Sequence, residues 1–527
     1  MADQAETSYD EVPYISLAFP QTHPFHLATL AKMLGVAAPD VETCRVLELG
    51  CASGDNLIPM AQGLPNARFV GLDLSQRQVE RGAQAVRTLE LDNIELRQAD
   101  ILSVDESYGK FDYIICHGIY SWVPKVVRDK ILSISNVNLT PTGVAYISYN
   151  TLPGWHLRGM VRDMMTYHSN RFEGAATKIF QARALIDFLA QSAPTDTPYG
   201  MALRHELEMI RNQPDSYLYH EHLEVVNEAF YFHQFAQAAQ EHGLQFLAEA
   251  DFSAMLVSNF SPQVADTLRK VASDIVHMEQ YMDFVRNRTF RQTLLVHADL
   301  PINRALNGSV VEGLHVSSIA QPVSKAMSLA QGVPEQFRAP NGRSLNTSNA
   351  ITKAAFVALA ERWPLGYMFE DLVRAARARA DADAGKPAAD AIRAKDAEIL
   401  GIDLLTCYTA GIIELRAKAP RMTTTPSHRP RASPYARLRA GQPGNLVNLR
   451  HEPVNPDVFT RHLLMLLDGT RDRDAIVAGL ADVVVRGELE VRDKGEIVTR
   501  GARLNSILRE AVDENLPKLA KASLLLD

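Results

Sequence analysis

An α/β fold built on a nucleotide-type parallel sheet is predicted by three observations. The run Arg45-Val46-Leu47-Glu48-Leu49 ends in a tight small-residue turn, Gly50-Cys51-Ala52-Ser53-Gly54. A segment of helical length follows, and a second apolar run, Phe69-Val70-Gly71-Leu72, then ends in Asp73, nineteen residues after Gly54. Further apolar runs bounded by turn residues return at Asn93 to Asp100, Phe111 to Gly118 and Gly143 to Asn150, each separated by a helical-length segment. Strand then helix, repeated in this order, is the pattern of a sheet whose ligand sits beyond the carboxyl ends of its strands.

The turn residues carry the first chemical information. Small side chains let backbone N–H groups approach a ligand closely, and an acid at the tip of the second strand can accept hydrogen bonds from both hydroxyls of a ribose. Glu48 separates this pattern from a dinucleotide site, because it puts a carboxylate where a diphosphate would otherwise lie. A cationic ligand tail is favoured there.

The segment Glu48-Leu49-Gly50-Cys51-Ala52-Ser53-Gly54 resembles motif I of class I S-adenosylmethionine (SAM)-dependent methyltransferases, with Ala52 in place of the usual middle glycine. The resemblance implies a Rossmann-like seven-stranded sheet whose last strand is antiparallel. Leu244 to Ala250, after a helix ended by Gly243, and Phe290 to His297 fit the sixth and seventh strands. The catalytic domain would then span 1–300, with helical insertions at 152–228 and 262–286.

A narrower resemblance rests on Tyr9 to Tyr14, Gln21-Thr22-His23-Pro24, Leu47 to Ala61, His117 to Pro124, Tyr149 to Trp155 and Asp283 to Leu295. Together these are similar to bacterial methyltransferases carrying a methyltransferase regulatory domain, here expected at 217–300, whose relatives include rickettsial protein-lysine methyltransferases. Cofactor contacts implied by the resemblance are Tyr14, Thr22, His23, Pro24, Glu48, Gly50, Cys51, Ala52, Gly54, Asn56, Asp73, Leu74, Asp100, Ile101, His117 and Gly118, with Asp100 facing the adenine amino group.

The methyl acceptor is expected beyond the fourth and fifth strands. Tyr120, Trp122, Tyr149 and Trp155 can stabilise cations there or simply pack, and Asn150 offers a carbonyl acceptor to an amine. His117 could take a proton. The insertion run Tyr217-Leu218-Tyr219-His220-Glu221-His222 could fold over the pocket and supply His220 or Glu221 as a base or substrate contact; reading His220 and His222 as metal ligands lacks a third ligand at a suitable spacing.

The second half has a different texture. A loop-rich segment, 301–345, is expected as a linker. A winged-helix-like unit at 346–420 follows from three helical patterns and the strand Ile412 to Arg416. The connector 421–450 is Pro/Arg-rich; from Arg416 to Arg439 there are seven Lys/Arg and no carboxylate. It is read as a solvated linker or as a surface for an acidic partner or nucleic acid. The final domain, 451–527, is expected to be helical or winged-helix, with Asp468-Gly469 between two helices.

Composition constrains the rest. A net charge of −8 argues against chain-wide attraction to nucleic acid, so the C-terminal half is expected to present substrate or form a homodimer contact rather than bind duplex specifically. The polar, acidic N-terminus and the lack of a spanning apolar run predict a cytoplasmic protein with no membrane insertion. Cys44, Cys51, Cys116 and Cys407 read as reduced core or near-site residues. Three functions remain open: an N-methyltransferase of protein lysines, a methyltransferase of a small metabolite, and a SAM-binding regulatory protein without turnover.

Overall fold

The computed structural model describes Val12 and residues 16–526. The first strands form where the apolar runs end in turns: β1 (Arg45–Leu49), β2 (Arg68–Asp73), β3 (Ile94–Gln98), β4 (Phe111–Cys116) and β5 (Leu139–Asn150) are parallel neighbours. β6 (Leu244–Glu249) and β7 (Phe290–His297) complete a seven-stranded sheet of order β3-β2-β1-β4-β5-β7-β6, with β7 antiparallel to both neighbours. The strand order reverses between β1 and β4. That reversal opens a crevice at their carboxyl ends, flanked by β2 and β5.

Chain direction explains the insertions. β5 and β7 are adjacent, yet some 140 residues separate them, and helices Trp155–Ser169, Ala175–Ser192 and Pro198–Arg211 form their own apolar core around Val161, Met165, Ile186 and Leu203. Helix Phe232–Glu241 ends, as expected, ahead of β6, at a turn where Gly243 takes a positive φ of 76°. Helices Pro262–Val271 and Ile275–Arg286 precede β7. At this end of the sheet Arg291 is fully buried among Glu249, Glu279 and Asp283, with the Phe232 ring 3.9 Å from its guanidinium carbon.

The 301–345 stretch differs from the expected linker. His315–Ser317 is the central strand of a three-stranded sheet, pairing Tyr367–Met368 on one side and Glu414–Arg416 on the other. Three helices, Ala350–Arg362, Phe369–Asp383 and Asp390–Thr409, pack with it. Short strands contribute few local signals, so this one was hidden until its partners were in place.

The connector also departs from a solvated linker. Ala432, Ala436, Ala440 and Leu446 join Leu463, Leu480, Leu508 and Leu525 in the core of the C-terminal domain. Lys418 and Arg421 both approach Glu42 of the catalytic domain. The turn Asp468-Gly469 lies between helices Val458–Leu466 and Arg473–Val485 as expected. All four cysteines are buried and free. No helix among the described residues is long and apolar enough to cross a membrane.

Candidate active site

A cavity of about 670 Å³ lies at the carboxyl ends of β1, β2, β4 and β5, within the size range of small-molecule and cofactor sites. Its first wall is the turn after β1. Gly50 has a φ of 74°, and a Cβ there would stand 2.4 Å from Ile119 Cδ1. Ala52 also takes the left-handed region, φ 47°, which explains why the usual residue at this place is glycine. Its N–H donates to Asp73 Oδ2 at 2.8 Å, while Ser75 N–H donates to Oδ1 at 2.9 Å. The Asp73 carboxylate is therefore oriented by two backbone donors before any ligand arrives.

Glu48 is buried on the same wall. Its Oε1 accepts from Asn56 Nδ2 at 2.8 Å, whereas its Oε2 has no hydrogen-bond partner among the described residues. Burial pushes the carboxyl up to about 8, with the Asn56 donor pulling the other way and the Asp73 charge adding to the rise. In its ionised form a buried, half-satisfied acid of this kind needs a cation beside it. The far side of this end carries Leu74, Asp100, Ile101 and Leu102; Asp100 Oδ1 accepts from Leu102 N–H.

His117 and Gly118 bound the middle. The His117 ring lies 3.8 Å from that of Phe19, and its Nδ1 is 2.8 Å from Tyr146 Oη. Burial lowers it to about 4, so it is neutral at physiological pH. With Nδ1 engaged and its basicity lowered by burial, the ring stands as a wall of the cavity.

At the other end stand Trp122, Asn150, Trp155, Arg158, Tyr217, His220, Glu221 and Phe290. Asn150 is buried and its Nδ2 has no partner among the described residues. Trp155 Nε1 donates to Asn227 Oδ1 at 3.0 Å. The 217–222 run does reach the cavity, through a π-turn over Tyr219–Leu223, a distortion frequent at functional sites. Its two candidates part company there. His220 is engaged at both nitrogens, with Glu224 Oε1 at 3.0 Å and the Val12 carbonyl at 2.6 Å. No hydrogen-bond partner among the described residues takes up the Glu221 carboxylate, which burial pushes up to about 7 against the pull of Arg158 and His220. Among the described residues no group of three or more His, Cys, Asp or Glu is arranged to hold a metal.

Several expected site residues lie elsewhere. Tyr149 follows β-strand alternation to the face opposite Asn150, where its ring stacks on Phe235 at 4.1 Å and its hydroxyl meets Thr293. Tyr120 packs against Phe230 and Phe235. Both are core residues behind the sheet. Thr22, His23 and Pro24 do not line the cavity: Thr22 braces Asn56, His23 caps the helix Pro24–Met33, and Pro24 begins it. Gly54 sits behind the turn, where a Cβ would be 2.9 Å from Leu96 Cδ1. Tyr14 lies outside the described residues. Phe19, Arg158 and Phe290 were missed as site residues, and Tyr217 was read only as the start of the run that folds over the pocket; of the three missed, Arg158 had a signal, one helical turn beyond Trp155.

The sheet order with its antiparallel β7, the glycine turn and the paired acids at the ends of β1 and β2 define a SAM-dependent methyltransferase. Residues 40–196 match a family described as methyltransferase domain, residues 214–297 the predicted methyltransferase regulatory domain, and residues 428–524 the PKMT C-terminal winged-helix domain. The uncharacterized protein RP789 of Rickettsia prowazekii is 37% identical over 98% of this chain and 93% of its own. A second protein of that organism, RP028, is 44% identical over 46% of this chain and 96% of its own. The structure of PKMT2 from Rickettsia typhi in complex with AdoHcy superposes with a TM-score of 0.85 at 33% identity, covering 98% of this chain and all of PKMT2. The chain belongs to this family of SAM-dependent methyltransferases with a regulatory domain and a C-terminal winged helix.

Proposed function

We propose that this enzyme methylates the side-chain amine of lysine residues in a protein substrate. The observation that carries the reading is Glu221: a half-buried carboxylate with no hydrogen-bond partner among the described residues, in the same cavity as Glu48 and Asp73, beside Asn150 and the indoles of Trp122 and Trp155. An amine enters as an ammonium ion and must lose a proton before it can attack. A carboxyl near 7 is matched to that task at physiological pH. The family relation to PKMT2, whose name denotes a protein-lysine methyltransferase, supports the same class of acceptor.

SAM, when bound, supplies the activated methyl group. Asp73 would hold the ribose hydroxyls, oriented by the Ala52 and Ser75 N–H groups; Glu48 Oε2 would face the positively charged amino acid end; Asp100 and Leu74 would bound the base. Asn150 Oδ1 accepts from the amine and directs its lone pair along the cavity. Glu221 takes the ammonium proton onto its carboxylate. Trp122, Trp155 and Phe290 exclude water and favour a cation over a neutral solute.

Tritiated SAM incubated with the enzyme and a bacterial protein extract tests this. Label on lysine in acid hydrolysates of the protein fraction is the expected result, and label confined to small molecules overturns it. Substituting Glu221→Gln should lower turnover by roughly a hundredfold and remove the rise in rate between pH 6 and 8. The sign follows from Glu221 acting as the ionised base, so activity grows as pH passes its value near 7.

A further inference from the structure

The C-terminal domain reaches the cofactor wall itself. Asn56, whose Nδ2 supplies the donor to Glu48 Oε1, has a fixed amide orientation: Phe19 N–H can only donate, so the atom it meets at 2.9 Å is Oδ1. The same Oδ1 lies 2.9 Å from Nε2 of His451. His451 comes from the segment matched as the C-terminal winged helix, 395 positions along the chain from Asn56. Its backbone is in the left-handed region, φ 65°, in a turn closed by its own N–H on the Asn448 carbonyl. Burial holds the imidazole neutral, down to about 3, so its single N–H is the one at Nε2 and it donates.

Neighbouring contacts hold this turn in register. Tyr435 donates its hydroxyl to Asp55 Oδ1 and its backbone N–H to Gln62 Oε1, and Gln62 Nε2 donates to Ser433 Oγ at 2.9 Å. Asp55, Asn56 and Gln62 all follow the glycine turn. The C-terminal domain thus grips the back of the loop and helix whose front faces the cavity.

We propose that His451 is a positioning residue for the cofactor, locking the Asn56 amide so that Nδ2 holds Glu48 Oε1 and Oε2 is left for the cationic end of SAM. The inference rests on the reading that Glu48 faces the bound cofactor. The charged and titratable groups facing Glu48 are Asp73 and the thiols of Cys51 and Cys116, while His451 faces His23 and Arg416. Both thiols are pushed far up by burial and stay neutral, so the carboxyl titrates between pH 6 and 9.

The test is the SAM dissociation constant from pH 6 to 9 for the full-length wild type, His451→Phe, His451→Gln and Glu48→Gln. Phenylalanine fills the space without a donor; glutamine restores one. His451→Phe should bind SAM about three- to tenfold more weakly at pH 7. Its affinity should also rise at higher pH than in the wild type, because Glu48 then ionises with a poorly held donor. His451→Gln should recover both properties. A merely structural role lowers the unfolding temperature and leaves the pH midpoint where it was; that outcome, or equal losses in both His451 variants, overturns the inference. Should His451→Phe not fold, Asn56→Leu must shift the midpoint in the same direction, and an unmoved midpoint there overturns the inference too. Glu48→Gln is expected to flatten the profile. A wild-type profile in that variant shows that the reading of Glu48 itself has failed, and the inference falls with it.

Discussion

The two ends of the cavity are built in opposite ways. At the end formed by β1 and β2, donors orient the acids in advance: the Ala52 and Ser75 backbone N–H groups on Asp73, and the Asn56 side-chain amide on Glu48. At the end formed by β5 and the insertion, Asn150 Nδ2 is buried without a partner among the described residues, and no hydrogen bond among them takes up the half-buried Glu221 carboxylate. The Glu48 and Asp73 side of the first end is assembled within some thirty consecutive residues around one glycine turn, with Asp100 and the His451 contact to Asn56 added from further along the chain. The second needs side chains from residues 122 to 290. The difference teaches that a cofactor shared by many enzymes is held by local backbone geometry, whereas the acceptor is held by tertiary packing that each family can alter.

Separating the ends by substitution is the sharpest test of that contrast. Asn150→Ala should lower turnover by roughly a hundredfold through lost positioning of the amine. SAM affinity should stay within a few-fold of wild type; loss of SAM binding in a folded variant would show that the ends are not independent. Asp73→Ala acts at the opposite end. It leaves the Ala52 and Ser75 donors and the ribose hydroxyls unmatched, at about 1–3 kcal/mol, or roughly ten- to a hundredfold in SAM affinity. An unchanged constant by calorimetric titration would break the assignment.

Protonation sharpens the comparison further. Burial holds Glu48 up to about 8, so a cation bound against its Oε2 would displace a proton from it at pH 7. SAM binding should release close to one proton near pH 7 and tighten as pH rises through 8, above which the free carboxyl is mostly ionised. Calorimetry at pH 7 in buffers of different ionisation heat reads this directly, and Glu48→Gln should abolish the release. For the free protein the sign is reversed: a carboxyl raised by burial stabilises the fold below its ordinary value, and that stability is lost as pH rises through about 8.

The smallest effect belongs to the glycine turn. Ala52→Gly relieves a left-handed backbone at a place where the N–H, not the side chain, does the work. Stability should rise by up to about 1 kcal/mol, with SAM affinity unchanged. A destabilised protein would show that the Ala52 methyl packs more than its backbone strains.

The amino-acid sequence alone determined the cofactor end and the sheet. The turn after β1, Asp73 at the tip of β2 and the later strands are local patterns, in which an apolar run of period two or a glycine turn needs no distant partner to be recognised. It also placed Glu221 in the segment that reaches the cavity. What only the tertiary structure decided was the direction and pairing of side chains far apart in the chain. Tyr149 and Asn150 are adjacent in sequence, yet strand alternation sends one to the core and the other to the cavity. His315–Ser317 is too short to announce itself and becomes a central strand only between Tyr367–Met368 and Glu414–Arg416. The connector looked solvated by composition, but Tyr435, Ala436 and Ala440 are buried. His451 carried no motif at all: its role depends on a hydrogen bond to Asn56 that spans most of the chain, and no local pattern encodes a contact at that separation.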